Sequence, residues 1–319
     1  MILIETGYHT QTCSSDPKDL FYKTFTPSKE VLKGQILILH GMQEHSGRYN
    51  KLANYLAESG FLVMIYDHMG HGKSFKTEQD AGIFDLKEPA TCLINDAANM
   101  LEVLKNKNPT TPTVLVAHSM GSFIARNLLK THANFLSGVV LVGTGGRKTY
   151  FKWLRNIFKK LNYIAPKNKS FFNKIFSKIN NKAFKSENSI HLTSWLSKSE
   201  ENQKNFTNDP LCGLPFSYNA FYGLFDLYYE ATKKGWYKSI PKSLPFLFVS
   251  GAEDPIGSFG KAIVSIVSEL KKNGFSNVHY LLYKDMRHEI LNEAIYPSVF
   301  KDITTWIIKE IDNHSEANR

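Results

Sequence analysis

The sequence has few cysteines, no recognisable leader segment and no long apolar run. Its three cysteines, Cys13, Cys92 and Cys212, are far apart and match neither a CxxC pair nor a zinc-ligand spacing. A sparse, odd count is typical of a reducing compartment. No stretch approaches the roughly 18 apolar residues that span a bilayer, and the amino terminus lacks the features of a signal peptide. We therefore expect a cytoplasmic protein, with peripheral contact at the inner membrane surface left open.

Acidic residues are scarce in one part of the chain. The 319 residues carry a formal net charge of +10, and 42% of them are hydrophobic, enough for a large core. Residues 147–187 contain twelve Lys and Arg but one acid, Glu187, so this block accounts for nearly all of the net charge. A local basic block points to an anionic surface or ligand more than an even charge distribution would.

Short apolar segments alternate with segments of helical periodicity. This alternation predicts a parallel sheet with helices on both faces, and the first 26 residues are expected to add an antiparallel edge hairpin. The sequence therefore predicts an α/β fold with a mostly parallel, eight-stranded sheet. The other six strands are predicted at residues 34–39, 61–66, 113–117, 138–142, 245–249 and 278–283.

The alternation stops between residues 146 and 235. This stretch has no convincing strand, and its apolar residues recur at helical spacing, as in Tyr150, Trp153, Leu154, Ile157 and Phe158. We interpret it as a helical cap inserted after the sixth strand, with residues 1–145 and 236–319 forming the core.

One pentapeptide has the pattern of a nucleophile elbow. Ser119 stands between a predicted strand and a predicted helix, in the sequence Ala117-His-Ser-Met-Gly121. An elbow serine needs a sharp turn that exposes its Oγ, and small residues two positions away on each side. Gly121 fits, and Ala117 departs from the usual glycine by one methyl group. Ser119 is therefore the candidate nucleophile.

Candidate partners for the serine follow two late strands. Asp254 follows the strand at 245–249, and His288 follows the strand at 278–283, in the order serine, acid, histidine that this kind of site uses. Acids and bases just past parallel strands meet at the same sheet edge as the elbow. Glu253 competes with Asp254. We expect His288 to act as general base and the acid to orient its imidazole.

The negative oxygen of a tetrahedral intermediate requires two N–H donors. The backbone N–H of Met120, directly after the nucleophile, is one candidate. The loop after the strand at 34–39 supplies the other, and the N–H of Met42 is its natural donor. Loss of one such donor typically lowers turnover ~100- to 1,000-fold.

Together these motifs resemble the monoacylglycerol lipase and lysophospholipase branch of the α/β-hydrolases. The resemblance implies hydrolysis of single-chain lipid esters under a helical lid, and it places the acid at Asp254. The segment 67–74 is expected to shape the loop behind the oxyanion donors. The motifs are His40-Gly-Met-Gln-Glu-His-Ser-Gly-Arg-Tyr49, Asp67-His-Met-Gly-His-Gly-Lys-Ser74, His118-Ser-Met-Gly121, Gly251-Ala-Glu-Asp254 and Arg287-His-Glu289.

Several alternatives remain open. The cap aromatics could line an acyl tunnel while its lysines contact anionic membrane, or the apolar residues could pack on the core beneath a solvated basic face. An aminopeptidase would need an acid that holds the substrate's amino group. A catalytically inactive membrane-binding scaffold is a third reading. The candidate acids of the cap are Glu187, Glu200, Glu201, Asp209, Asp226 and Glu230.

No cofactor, metal or nucleic-acid partner is expected. The pair His68 and His71 has metal-ligand spacing but lacks a third ligand nearby in sequence. A dinucleotide fingerprint starting at Gly143 would need its third glycine where Lys148 stands. The basic and aromatic residues match no recognised nucleic-acid module.

Overall fold

The computed structural model describes residues 2–13, 17–28, 31–184 and 193–317, and these residues form one eight-stranded sheet. The strand order is β1-β2-β4-β3-β5-β6-β7-β8, parallel from β4 to β8 with β1 and β2 antiparallel at one edge. The predicted α/β fold and edge hairpin are confirmed. The strands are β1 Ile2–Thr10, β2 Asp19–Pro27, β3 Gly34–Leu39, β4 Phe61–Tyr66, β5 Thr113–His118, β6 Gly138–Val142, β7 Phe246–Gly251 and β8 Val278–Tyr283.

Helices cover both faces of the sheet. Alternate strand residues point to opposite sides, and the residues on both sides are apolar, so each face is buried against helices. In β3, Ile36 and Ile38 face a core built with α1 and α9, whereas Leu37 and Leu39 face a core built with α2, α3, α7 and α8. The helices are α1 Asn50–Glu58, α2 Pro89–Lys107, α3 Met120–His132, α4 Tyr150–Ile164, α5 Phe172–Asn181, α6 Glu200–Asn208, α7 Tyr218–Thr232, α8 Lys261–Lys272 and α9 Tyr296–Ala317.

Four helices, α4 to α7, occupy the stretch between β6 and β7. Helix α7 is the most deeply buried of them, and its Phe221, Phe225 and Leu227 belong to the same core cluster as α2 and α3. The division of the chain into core and cap therefore stays a prediction, since the two share one apolar interior. Lys185 and Glu187 of the basic block lie outside the described residues.

Two of the three cysteines form a disulfide, which their small number and wide spacing in the sequence did not lead us to expect. Cys13 follows β1, Cys92 lies on α2, and the fold joins the two in a disulfide with their Cα atoms 5.6 Å apart. Their separation of 79 positions gave no local signal in the sequence. Cys212 is a free, buried thiol.

No described helix is both long enough and apolar enough to cross a membrane.

Candidate active site

Ser119 occupies a strained turn between β5 and α3. Its φ of 50° and ψ of −117° lie in a region of backbone conformation where residues other than glycine are rarely found. The backbone of Ser119 is anchored to β6 by a 2.9 Å hydrogen bond to the Val142 carbonyl. A Cβ atom on Gly121 would stand 2.5 Å from the Leu39 carbonyl oxygen, so the helix can begin against β3 only with glycine at that position.

The structure brings Ser119, His288 and Asp254 together. Ser119 Oγ lies 2.8 Å from Nε2 of His288, and Nδ1 of His288 lies 3.0 Å from Oδ2 of Asp254. Asp254 is completely buried and also accepts hydrogen bonds from the Ile256 N–H and the Ser250 hydroxyl. These contacts fix the carboxylate so that Nδ1 carries the proton and Nε2 is free to accept one from the serine.

Glu253, the competing acid, points elsewhere. Its carboxylate lies 3.3 Å from Lys198 Nζ and 3.7 Å from Arg287 Nε, and it is partly exposed. It is therefore engaged in ion pairs with Lys198 and the buried Arg287, and among the residues described Asp254 is the acid on the imidazole.

The two predicted oxyanion donors flank the serine. Met120 begins α3 directly after the nucleophile, and Met42 lines the same cavity as Ser119. A Cβ on Gly41 would stand 3.2 Å from the Ser119 Cβ, so the loop before Met42 lies directly against the nucleophile. Neither N–H has an acceptor among the residues described. Both donors are thus available to a ligand oxygen.

A buried carboxylate that we did not predict holds the Met42 loop. Glu44 accepts hydrogen bonds from the Gly41 N–H at 2.6 Å, the Tyr49 hydroxyl at 2.7 Å and Arg48 Nη1 at 2.9 Å. Its Oε1 also lies 3.1 Å from Nδ1 of His118. Burial alone would raise the pKa of Glu44, but His118 and Arg48 outweigh it and hold that pKa well below its usual range.

His118 is the ring that pairs with Glu44. Burial opposes a charge on its ring, yet the hydrogen bond to Glu44 and the carboxylate's charge prevail and raise the pKa of His118. Both ring nitrogens face oxygen acceptors, because Nε2 lies 3.3 Å from the His288 carbonyl. The sequence motif contained Glu44, Tyr49 and His118, but periodicity and spacing assigned them no role.

Arg48 links the Met42 loop to the histidine loop and to α6. Its guanidinium makes two hydrogen bonds to Glu289, at 2.6 and 2.7 Å, and one to Asn202 at 2.8 Å. Paired, forked contacts of this kind fix geometry as well as charge. The loops that carry Met42 and His288 are therefore held in one network.

The segment 67–74 supports the Met42 loop from behind, as expected. Asp67 accepts a 2.7 Å hydrogen bond from the Ser46 N–H, and His71 Nε2 accepts one of 3.2 Å from the Gln43 N–H. Burial lowers the pKa of His71 to about 3, so its ring stays neutral and keeps the lone pair that this contact needs.

One cluster among the residues described has metal-ligand atoms. The candidate ligand atoms of His45, Asp209 and Cys212 lie within 4.8 Å of one another. However, His45 Nε2 faces Asp209 Oδ2 at 2.8 Å, and its Nδ1 accepts the Gly47 N–H at 3.1 Å. Both nitrogens are used, and burial raises the pKa of Cys212, which disfavours a thiolate. We interpret the cluster as a contact between the Met42 loop and the segment before α7.

A cavity of about 230 Å³ opens above Ser119 and His288. The helices between β6 and β7 contribute much of its wall, so residues far apart in sequence determine its shape. Besides Ser119 and His288, its lining includes Met42, Asn173, Lys174, Trp195, Leu196, Phe206 and Glu289.

A comparison with known protein families identifies the family of this chain. Residues 30–295 match the family Hydrolase_4, described as serine aminopeptidase, S33. The chain belongs to this family.

Similar proteins indicate which class of bond this hydrolase cleaves. It is 24% identical over 302 residues to monoacylglycerol lipase of Mycolicibacterium smegmatis, covering 92% of this chain and 94% of that one. It is 26% identical over 309 residues to human monoglyceride lipase, covering 92% and 88%. A Bacillus coagulans carboxyl esterase, solved with glycerol, superposes with a TM-score of 0.88 at 25% identity, covering 98% and 100%. The hydrolase is a carboxylic ester hydrolase of the monoacylglycerol lipase branch.

Proposed function

We propose that this hydrolase cleaves single-chain lipid esters of the monoacylglycerol or lysophospholipid type through an acyl-enzyme on Ser119. As Oγ attacks the ester carbon, His288 Nε2 takes the hydroxyl proton and then gives it to the departing alcohol oxygen. Water attacks the acyl-enzyme with His288 again as base. Asp254 keeps the imidazole in the required tautomer throughout. The N–H groups of Met42 and Met120 stabilise the negative oxygen in both steps.

One observation supports this proposal above all. The hydrogen bonds from Ser119 to His288 and from His288 to Asp254, at 2.8 and 3.0 Å, form an unbroken chain at the floor of a cavity. A serine in a strained turn with this alignment is the arrangement that acyl transfer requires. The relatives named as monoacylglycerol lipases support the substrate class.

Ser119→Ala tests the reaction. We expect the variant to lose at least 1,000-fold in turnover of short and medium acyl esters while its unfolding midpoint stays within about 2 °C of the wild type. Ser59→Ala, at the end of α1, is the matched control and should keep full activity. Unchanged turnover in the Ser119 variant would rule the proposal out.

A fluorophosphonate probe separates an enzyme from an inactive scaffold. The wild type should be labelled at Ser119, and His288→Ala should slow labelling strongly, since the probe needs an activated serine. A protein that folds but is not labelled would be the inactive scaffold. Rates across monoacylglycerols, lysophospholipids and simple esters then assign the preferred head group.

The aminopeptidase alternative lacks a suitable acid in the described cavity. Asp209 contacts His45, Asp226 pairs with Arg155, and Glu230 pairs with Lys233. The cavity carboxylates Glu44 and Glu289 are both held by Arg48, while Glu187 lies outside the described residues. Faster cleavage of aminoacyl arylamides than of fatty-acyl esters would favour the alternative.

Membrane contact is part of the proposal. Helix α4 and the segment to α5 expose Trp153, Tyr163, Ile164 and Phe171, close in sequence to lysines of the basic block. Aromatics beside lysines suit the interface of an anionic membrane, where each basic residue contributes ~1 kcal/mol. Other residues of α4, such as Phe158, pack inward, so the apolar stripe serves the core as well.

Vesicle sedimentation tests this contact. The wild type should bind phosphatidylglycerol vesicles and not phosphatidylcholine vesicles, with binding weakened by salt. Trp153→Ala combined with Lys159→Glu and Lys160→Glu should abolish it, whereas charge reversal at Lys301 on α9 should not. Equal binding to both vesicle types would refute the electrostatic contact.

A further inference from the structure

Trp195 packs against the imidazole of His288. The two ring centroids are 5.0 Å apart, and the planes are tilted by only 32°, so a face of the indole meets the imidazole. Phe176 of α5 contacts the indole in an edge-on arrangement, with centroids 5.8 Å apart. Trp195 is nearly buried, and it also lines the cavity above Ser119. An aromatic side chain from outside the sheet therefore touches the base.

The turn that carries Trp195 is attached to the histidine loop itself. Arg287 Nη1 donates to the Ser194 carbonyl at 2.8 Å, and the Glu289 N–H donates to the Leu196 carbonyl at 2.7 Å. The residues on either side of His288 thus hold the residues on either side of Trp195.

Glu293 strengthens this attachment. Its carboxylate accepts the Ser197 hydroxyl and the Lys198 N–H, both at 2.9 Å. Because it stands only five positions after His288, it connects the same two loops a second time. The position of the indole is therefore fixed relative to the imidazole and not merely to the sheet.

We propose that Trp195 is a positioning residue that holds the His288 ring and stabilises its protonated form. The inference rests on the proposed function, in which Ser119 Oγ bonds to the acyl carbon and its proton passes to His288 Nε2. At that moment the imidazole becomes a cation. The electron-rich face of an indole attracts a cation within about 6 Å, and more strongly where water is excluded.

Several titratable and charged groups besides Ser119 surround His288 and bear on the pH dependence of its protonation. Asp254 accepts from Nδ1, and the His118 ring lies 4.9 Å away, centroid to centroid, paired with Glu44. The neighbouring ion pairs are Arg48 with Glu289 and Arg287 with Glu253, and Lys148 acts on Asp254 through space. Changing Trp195 to an apolar residue alters none of these charges.

The test compares two replacements of Trp195. Trp195→Phe keeps an aromatic face, and Trp195→Leu keeps apolar bulk without one. The measurement is kcat/KM for a short p-nitrophenyl ester against pH, together with the pH dependence of fluorophosphonate labelling.

We expect the acid limb of the leucine variant to move down by roughly half to one pH unit, because the protonated base loses its stabilising contact. Its plateau kcat should fall about 3- to 10-fold with little change in KM. The phenylalanine variant should restore most of both. Phe206→Leu removes another aromatic side chain from the same cavity and should change KM without moving the acid limb.

The outcomes distinguish the two proposals. A wild type that is not labelled at all refutes the proposed function. A labelled wild type whose leucine variant keeps the same acid limb, or moves it upward as simple hydration of the base would, refutes the role of Trp195. If Trp195→Leu does not fold, Trp195→Met, which is also apolar and not aromatic, answers the same question.

Discussion

Glu44→Gln should both destabilise the fold and slow the reaction. The glutamine side chain can keep its oxygen toward the Gly41 N–H, the Tyr49 hydroxyl and His118, but its amide NH2 group then faces Arg48, which is also a donor. Removing one partner of a buried ion pair costs ~3–5 kcal/mol. Because the Gly41 N–H precedes Met42, we also expect turnover to fall roughly 100-fold through a displaced oxyanion donor.

The stability loss should depend on pH in a particular window. The pKa of Glu44 is lowered in the fold, so its contribution is present above the unfolded value near 4.3 and is lost as pH falls through the folded value. The pKa of His118 is raised, so its contribution is complete below about 6.5 and is lost as pH rises through the folded value. The difference from wild type should therefore be largest near pH 5–6.

Urea unfolding followed by circular dichroism, repeated between pH 3.5 and 9, measures this difference. Tyr49→Phe, which removes one donor and leaves the charges in place, should cost only about 2 kcal/mol and keep most of the turnover. A Glu44→Gln variant as stable as the wild type at pH 5.5, or a difference that does not change with pH, would show that the carboxylate does not hold the loop.

Three further predictions concern other buried groups. Burial raises the pKa of Asp96 to about 8, so the stability of the fold should fall as pH rises from about 4 to 8, where the unfolded chain has already lost this proton; Asp96→Asn should gain up to ~5 kcal/mol over wild type by pH 9 in urea unfolding, and no gain would contradict it. Reducing the Cys13–Cys92 disulfide should cost ~4.5 kcal/mol of stability and lower the thermal midpoint by roughly 10 °C, whereas Cys212→Ser should keep the wild-type midpoint. A count of three free thiols in protein unfolded without reductant would exclude the disulfide. Gly121→Ala should cost ~1–3 kcal/mol because its methyl group meets the Leu39 carbonyl, and a wild-type thermal midpoint would refute that.

The sheet could be predicted from sequence because each strand carries its own signal. β3, β4, β6 and β8 coincide with apolar runs whose bounds are visible in the chain, and β5 and β7 differ from the predicted runs by one or two residues. That Asp254 and His288 lie close to Ser119 could be predicted for the same reason, since both follow strands that end at one edge of the sheet.

The surroundings of the site could not be predicted, because they depend on contacts between distant segments. Trp195 and His288 are 93 positions apart in the sequence, as are Ser194 and Arg287, which hydrogen-bond beside them. Glu44 and His118 are 74 positions apart. Neither pair has a spacing rule of the kind that marks an elbow or a helix face. The disulfide was not predicted for a related reason, because the number of cysteines does not indicate which segments the fold brings together.

The neighbouring positions of β6 and β7 have an evolutionary consequence. Val142, the last residue of β6, pairs with Val249 of β7, so the chain leaves the sheet and returns to the adjacent place in it. Because the two strands are parallel, the connecting segment starts at the carboxyl end of β6 and ends at Phe246, at the amino end of β7 beside Val139. Substitutions in this segment, which supplies Asn173, Trp195 and Phe206 to the cavity wall above Ser119, can therefore reshape that cavity while the pairing of β6 with β7 stays the same.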